Sequence, residues 1–238
     1  MKKILISGGE GEFAKELQKY NTEYKILAPS KKDMNVTKIN SVDYYIWSTK
    51  PDYFIHAGAI TRPMVIHENE PEKSIKTNII GTANVVQSCM KYNVKLIYIS
   101  TDYVYEGTDG NYKESDSVKP FTKYGWSKLG GECSVKLYDN HLILRMAIQK
   151  KPFPHPKALT DMRKSYMFMD DAAKVTLQLL DENGVINVGG KSQSVYDFVK
   201  ETNPNIKPIT LSEVSDVNMA EDCSMNTTKM KKIIGEVK

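Results

Sequence analysis

Short apolar runs rich in β-branched residues alternate, through the first half of the chain, with longer stretches whose apolar residues recur every three or four positions. That alternation predicts strand–helix–strand units with parallel strands buried on both faces, hence an α/β fold. Ile4, Leu5 and Ile6 form a first strand in this reading. Residues 12–20 form a helix with Phe13, Leu17 and Tyr20 turned inward, and residues 24–28 a second strand. Residues 53–56 follow as a strand and residues 74–92 as a long helix carrying Ile75, Ile79, Ala83, Val86 and Met90 on one face. Residues 95–100 and 141–145 add two more strands.

Beyond Arg145 the pattern changes. Pro152, Pro154 and Pro156 fall within five positions, which predicts a loop or domain boundary. Asp170 and Asp171 suit the positive end of a helix over 172–180. A glycine-bounded strand over 184–189, a helix over 194–202 and a short helix over 228–234 complete the reading. The expected division is a nucleotide-binding domain over 1–148 and a small substrate region over 149–169 and 184–238, with helix 170–181 packing back on the first.

Composition narrows the possibilities. The chain has 238 residues, 40% hydrophobic and 26% charged, with no low-complexity tract, as expected of one folded globular unit. A net charge of +4 from scattered lysines favours a small anionic ligand and argues against a nucleic-acid surface, which needs a basic stripe. Cys89, Cys133 and Cys223 are widely spaced and odd in number, the pattern of reduced thiols in a cytoplasmic protein. No apolar stretch approaches the ~20 residues of a membrane span. His56, His67, His141 and His155 are dispersed, so no metal site is expected.

Chemistry enters directly after the first strand, where Gly8, Gly9 and Gly11 open the helix that begins Glu12-Phe13-Ala14. Glycines let a backbone turn sharply and approach a pyrophosphate, while the helix N-terminus offers free N–H groups to the anion. At the end of the second strand a carboxylate would accept the ribose hydroxyls of NAD. Ala28-Pro29-Ser30-Lys31-Lys32 offers none there, and Ser30 with Lys31 or Lys32 suits the extra phosphate of NADP. NADPH is therefore the expected cofactor, with NADH the alternative.

Tyr124 and Lys128 stand four positions apart, one turn along one helix face. A phenol with a pKa near ~10 becomes a useful proton carrier when a nearby cation stabilises its phenolate. Thr101, at the end of the strand over 95–100, places a hydroxyl at the carboxyl edge of the sheet, where such folds bind ligands.

The segments from Ile4 to Leu17, Pro51 to Thr61, Ile99 to Gly107 (with S-T-D-Y-V-Y-E-G from Ser100) and Tyr124 to Glu132 (Y-G-W-S-K-L-G-G-E) resemble the extended short-chain dehydrogenase/reductases. The nearest likeness is to the dTDP-4-dehydrorhamnose reductases. Met34-Asn35-Val36-Thr37 is similar to that family's adenine-contacting L-D-I-T. The resemblance implies a Rossmann-type, doubly wound parallel sheet with a small, abbreviated C-terminal substrate domain. It also implies NADPH-dependent reduction of a nucleotide-linked 4-keto-6-deoxy sugar, in deoxysugar or polysaccharide precursor synthesis.

By that likeness Tyr124 protonates the carbonyl oxygen, Lys128 tunes the phenol and holds the cofactor ribose, and Thr101 orients the carbonyl. Gly8, Gly11, Glu12, Phe13, Ser30, Lys31, Lys32, Asn35, Val36, Ala57, Gly58 and Ala59 fall on the cofactor side. Thr61, Asp102, Tyr103 and Tyr105 fall on the substrate side. Met219-Ala220 stands where the family has Arg-Pro, so Arg62 or Arg163 becomes a candidate for the missing phosphate contact. A dehydratase would carry glutamate where this chain has Tyr103; an epimerase retaining NAD and a non-catalytic nucleotide-binding subunit are the alternatives. A homodimer is a further expectation.

Overall fold

The computed structural model describes residues 1–21, 23–214 and 219–235. Its frame alternates β1 (Lys3–Ser7), α1 (Glu12–Tyr20), β2 (Lys25–Leu27), α2 (Ile39–Thr49) and β3 (Tyr53–His56). Two short helices, α3 (Val65–Asn69) and α4 (Pro71–Ser74), lead through a π-helical turn, Ile75–Ile80, into α5 (Gly81–Tyr92). β4 (Lys95–Thr101), α6 (Lys123–Val135) and β5 (His141–Met146) follow.

The first five strands and a later one, β10, form a six-stranded sheet in the order β10-β5-β4-β3-β1-β2, every pair parallel. The chain reverses direction across the sheet between β1 and β3, and a parallel sheet opens a ligand crevice at the carboxyl ends of the strands flanking such a reversal. Side-chain alternation loads both faces. Ile4, Ile6, Ile55 and Ile97 pack with Leu17 of α1, while Leu5, Phe54, Leu96 and Ile143 pack with Val42, Ile46 and Val85 of α2 and α5. Each such aliphatic side chain, wholly removed from water, contributes about 1.5–3 kcal/mol.

After β5 come short strands β6 (Ile148–Gln149), β7 (Lys157–Leu159), β8 (Arg163–Lys164) and β9 (Met167–Phe168), then α7 (Met169–Gln178) and β10 (Gly184–Val188). β11 (Gln193–Ser194), α8 (Val195–Lys200), β12 (Lys207–Ile209) and α9 (Thr228–Ile234) complete the described elements. Ala158, Leu159, Met162, Val195, Phe198 and Ile206 make a separate apolar cluster beside the main one. Ala172, Ala173 and Val175 of α7 share the main cluster with Leu17.

Three elements depart from the sequence reading. β10, expected in the small region, pairs with β5 as the edge of the main sheet. The inner face of α5 and its π turn is Asn78, Thr82, Val85 and Cys89, whereas Ile75 and Met90 are about half exposed. Asn78 and Thr82 are drawn inward by hydrogen bonds, and the wider π turn shifts the helical phase. Helix α2 was not expected at all: its buried residues are only Val42 and Ile46, and its β-branched and aromatic residues are indifferent helix formers.

Candidate functional site

The crevice between β1 and β3 is built of backbone. Gly8 has φ +75, and a Cβ there would stand 2.9 Å from the Gly58 Cα. A Cβ at Gly9 would stand 2.3 Å from the Ala28 carbonyl oxygen. Only glycine permits that approach. Gly11 precedes α1 without a capping side chain, so first-turn N–H groups face the crevice, with Glu12 exposed and Phe13 half buried. Ala57, Gly58 and Ala59 line the opposite lip, all half buried. These features fit a dinucleotide's pyrophosphate.

A buried relay braces the lip. The Gly58 amide donates to Ser7 Oγ at 3.1 Å, and Ser7 Oγ lies 2.7 Å from His56 Nδ1. His56 Nε2 meets Thr82 Oγ1 at 3.0 Å, and Thr82 donates onward to the Asn78 carbonyl at 2.7 Å. Thr82's proton is thus committed, so Nε2 carries the imidazole hydrogen and Nδ1 accepts. Burial, aided by the Lys128 charge, pushes the His56 pKa down to about 3 and keeps the ring neutral.

At the end of β2, Glu10, Lys31, Lys32, Asn35, Lys38 and Ser41 line a concave surface. Two carboxylates stand here that the sequence reading did not place. Asp33 accepts from Ser30 Oγ at 2.6 Å because the turn folds back on itself, and Glu10 accepts from the Lys31 amide at 3.3 Å. Ser30 is engaged in the turn; Lys31, Lys32 and Lys38 supply the positive charge. Asn35 and Val36 are held next to this surface, with the Val36 carbonyl accepting from Asn84 at 2.9 Å.

Thr101 ends β4 and accepts from the Tyr103 amide at 3.3 Å, capping the short turn Asp102–Val104. Tyr124 lies in the first turn of α6, which Thr122 caps by accepting from the Gly125 amide at 3.0 Å. The Thr101 hydroxyl donates to Asp102 Oδ1 at 3.1 Å and lies close enough to Tyr124 to favour its ionised form. One turn on, the buried Lys128 ammonium donates to the Ile99 carbonyl at 2.8 Å and stands 4.2 Å above the Tyr98 ring. Thr101, Tyr124 and Lys128 are therefore brought together at the carboxyl edge of the sheet.

The electrostatics differ from expectation. Burial pushes the Tyr124 phenol above its ordinary value, opposed by the nearby Thr101 hydroxyl and by the charge of Arg62. Burial also pushes Lys128 down to about 7, against the pull of Glu132. The cation expected to lower the phenol is Lys128, yet the one acting on it here is Arg62, because the ammonium is turned toward Ile99 and Tyr98.

The expected substrate side divides. Tyr103 is half buried, stacked on Phe121 at 5.3 Å and edge-on to Tyr124 at 5.8 Å, so it walls the site. Thr61 is exposed on the loop after β3. Tyr105 does not reach the site: it is fully buried, stacked on Tyr112, and donates to Asn187 at 2.8 Å. Its hydroxyl also accepts from Arg145, whose guanidinium pairs with Glu132 at 2.8 Å. Asp102 is buried, 2% exposed: it accepts from Thr101 Oγ1 at 3.1 Å and pairs with the buried Lys164 at 2.7 Å. Burial opposes the Lys164 charge, but Asp102 overrides it and holds the ammonium well above its usual range.

Sequence reasoning missed three side chains of this site. Asn78 donates to the Ile60 carbonyl and to Ser127 Oγ, each at 2.9 Å, tying the lip to α6. His67 packs on Tyr124 with ring centroids 5.0 Å apart. Lys164 stands 3.9 Å from the Tyr103 ring. A polar residue inside an apolar helix face was the available signal for Asn78; nothing local marked Lys164.

A parallel sheet with a glycine-lined crevice, and a threonine, tyrosine and lysine gathered at its carboxyl edge, define an extended short-chain dehydrogenase/reductase fold. Residues 1–149 match the RmlD substrate binding domain family, and the chain belongs to it. Among curated relatives, the Bos taurus methionine adenosyltransferase 2 subunit beta is 32% identical over 143 residues, 56% of this chain and 42% of that one. The dTDP-4-dehydrorhamnose reductase of Aggregatibacter actinomycetemcomitans is 32% identical over 136 residues, 56% of this chain and 46% of that one. The chain thus spans less than half the length of these relatives in the matched alignments. Among solved structures, the Bacillus anthracis dTDP-4-dehydrorhamnose reductase in complex with NADP superposes with TM-score 0.87 at 24% identity, covering 100% of this chain and 94% of that one.

Proposed function

We propose that this protein is an NADPH-dependent reductase of a nucleotide-linked 4-keto-6-deoxy sugar, with NADH as the alternative donor. The observation that carries the reading is the meeting of Thr101, Tyr124 and Lys128 beside a crevice that only glycine backbone could leave open. Gly8, Gly9, Gly11 and Gly58 would hold the pyrophosphate, and Lys31, Lys32 and Lys38 the adenosine phosphate. When bound, the reduced nicotinamide supplies the hydride. Tyr124 supplies the proton: its raised pKa keeps the phenol protonated, ready to donate to an oxygen that becomes an alkoxide. Thr101 holds that oxygen beside the phenol. Lys128, buried one turn on, would hold the cofactor's ribose, and the phenolate left behind regains its proton from solvent. Tyr103 closes the wall of the sugar pocket.

The likeness to a subunit of methionine adenosyltransferase favours a second reading, a nucleotide-binding subunit without turnover. The intact triad supports catalysis instead, since fold alone does not fix function. Incubating the protein with NADPH and a panel of nucleotide 4-keto sugars tests the two. Loss of reduced-nicotinamide absorbance with any of them supports the reductase; tight cofactor binding without turnover supports the subunit.

We place the protein in the cytoplasm; among the described residues no helix is long and apolar enough to cross a membrane. Ile75, Ile80 and Trp126, each about half exposed on adjoining segments, support pairing of two copies through that face. Light scattering of the wild type and of Trp126→Glu checks it: a dimer that dissociates in the variant is expected, and a monomeric wild type excludes it.

A further inference from the structure

The chain contains three arginines, Arg62, Arg145 and Arg163. Arg145 is spent on Glu132 inside the core. Arg163 donates to the Ser192 carbonyl at 3.1 Å and lies 3.8 Å from Asp222 on the surface. Arg62 is exposed, and among the described residues no carboxylate is paired with it.

Its place is fixed by its neighbours. His67, five residues on, is fully buried, which holds its pKa below the ordinary value against the nearby Thr61 backbone; its Nδ1 is bonded to Ser74 at 2.7 Å and its ring packs on Tyr124. Ile60, two residues before Arg62, is tied through Asn78 to Ser127 of α6, which sets this loop beside the turn that carries Tyr124, and the Arg62 charge favours the ionised forms of Tyr103, Tyr124 and Tyr166. On the other side of Tyr103, Lys164 is neutralised by Asp102. Among the described residues, Arg62 is therefore a positive charge at the mouth of the site with no paired carboxylate. Met219, which stands where the resemblance to the reductases puts an arginine, is a half-buried apolar residue packed against the small cluster of Val195, Phe198 and Ile206.

We propose that Arg62 is the oxyanion-binding residue of the substrate site, holding with its planar fork either the nucleotide diphosphate or a carboxylate on the sugar. The assignment rests on the reading of the substrate as a nucleotide sugar. A guanidinium offers two parallel donors to a phosphate or carboxylate, and the neighbouring phenols add neutral donors. Substrate specificity is thereby shifted from the C-terminal region to the loop after β3.

Calorimetric titration of the wild type, Arg62→Gln and Arg62→Lys with UDP, dTDP, UDP-glucose and UDP-glucuronate tests the proposal, with NADPH as the control ligand. Arg62→Gln should weaken UDP and dTDP at least ~10-fold, the loss of one bidentate charge-assisted contact, with NADPH affinity kept. Arg62→Lys should fall between, since an ammonium cannot form the fork. If UDP and UDP-glucose bind unchanged and only UDP-glucuronate is lost, the oxyanion is the sugar carboxylate. Equal affinities of wild type and Arg62→Gln for all four ligands overturn the assignment, as does a wild type that binds none of them. Turnover of a 4-keto sugar by the wild type, measured separately, decides the proposed reduction, so unchanged affinities with turnover intact overturn the role of Arg62 alone.

Discussion

At Tyr124 the chemistry reduces to one proton. Tyr124→Phe removes the donor and leaves the ring packing against His67 and Tyr103. Its kcat should fall ~100-fold or more while NADPH affinity stays within about twofold, because general-acid groups contribute about that much and the phenol does not build the crevice. A loss below about tenfold, ~1.4 kcal/mol of barrier, contradicts the assignment. His56 yields a stability prediction. Its folded pKa of about 3 lies below the unfolded value near ~6.5, so the unfolded chain takes up the proton first as pH falls. Stability is fully present above about pH 6.5 and is lost on acidification toward the folded pKa, on the order of 2 kcal/mol by about pH 5. His56→Gln sacrifices hydrogen bonds at neutral pH, but its loss between pH 7 and 5 should be smaller by roughly that amount in urea titrations. Parallel curves for the two proteins would remove His56 as the acid-sensitive group.

Two elements meet the site through buried charge. Glu132 at the end of α6 and Arg145 of β5 pair at 2.8 Å with side chains 0% and 1% exposed, and Ser100 donates to the same carboxylate at 2.5 Å. Glu132→Ala leaves the guanidinium buried and unmatched and should cost about 3–5 kcal/mol. The paired Glu132→Leu, Arg145→Met variant should recover most of it. A single-variant loss below ~1 kcal/mol would show that water reaches the pair. The β2 end governs cofactor choice: Lys31→Glu or Lys32→Glu adds negative charge beside Glu10 and should turn an NADPH preference toward NADH. Fluorescence titrations with both cofactors decide it; a wild type with no preference contradicts the phosphate role of this surface. At this scale the strands were the legible part of the sequence. Ile4-Leu5-Ile6 and Tyr53-Phe54-Ile55-His56 are buried on both faces, and continuous apolar runs announce that. Helix α2 was silent because Val42 and Ile46 are its only buried residues, too few to set a period.

Across the whole molecule, local motifs placed the glycine loop, Thr101, Tyr124 and Lys128 because each depends on residues close in the chain. Contacts between distant segments were not legible. Lys164 reaches Asp102 across 62 positions, and Tyr105 is withdrawn by Asn187 across 82, pairings that no spacing encodes. The same long-range folding ties the Asp102 carboxylate beside Thr101 into an ion pair with Lys164 and leaves Tyr103 as the wall of the pocket. The proposed net reduction consumes a cofactor in each cycle, whereas an epimerase returns its hydride. The decisive measurement is stoichiometric: with NADPH and a nucleotide 4-keto-6-deoxy sugar that the protein converts, the sugar product is counted against the NADPH lost. One product per NADPH oxidised is the expected result; product accumulating far beyond the NADPH consumed would contradict the account.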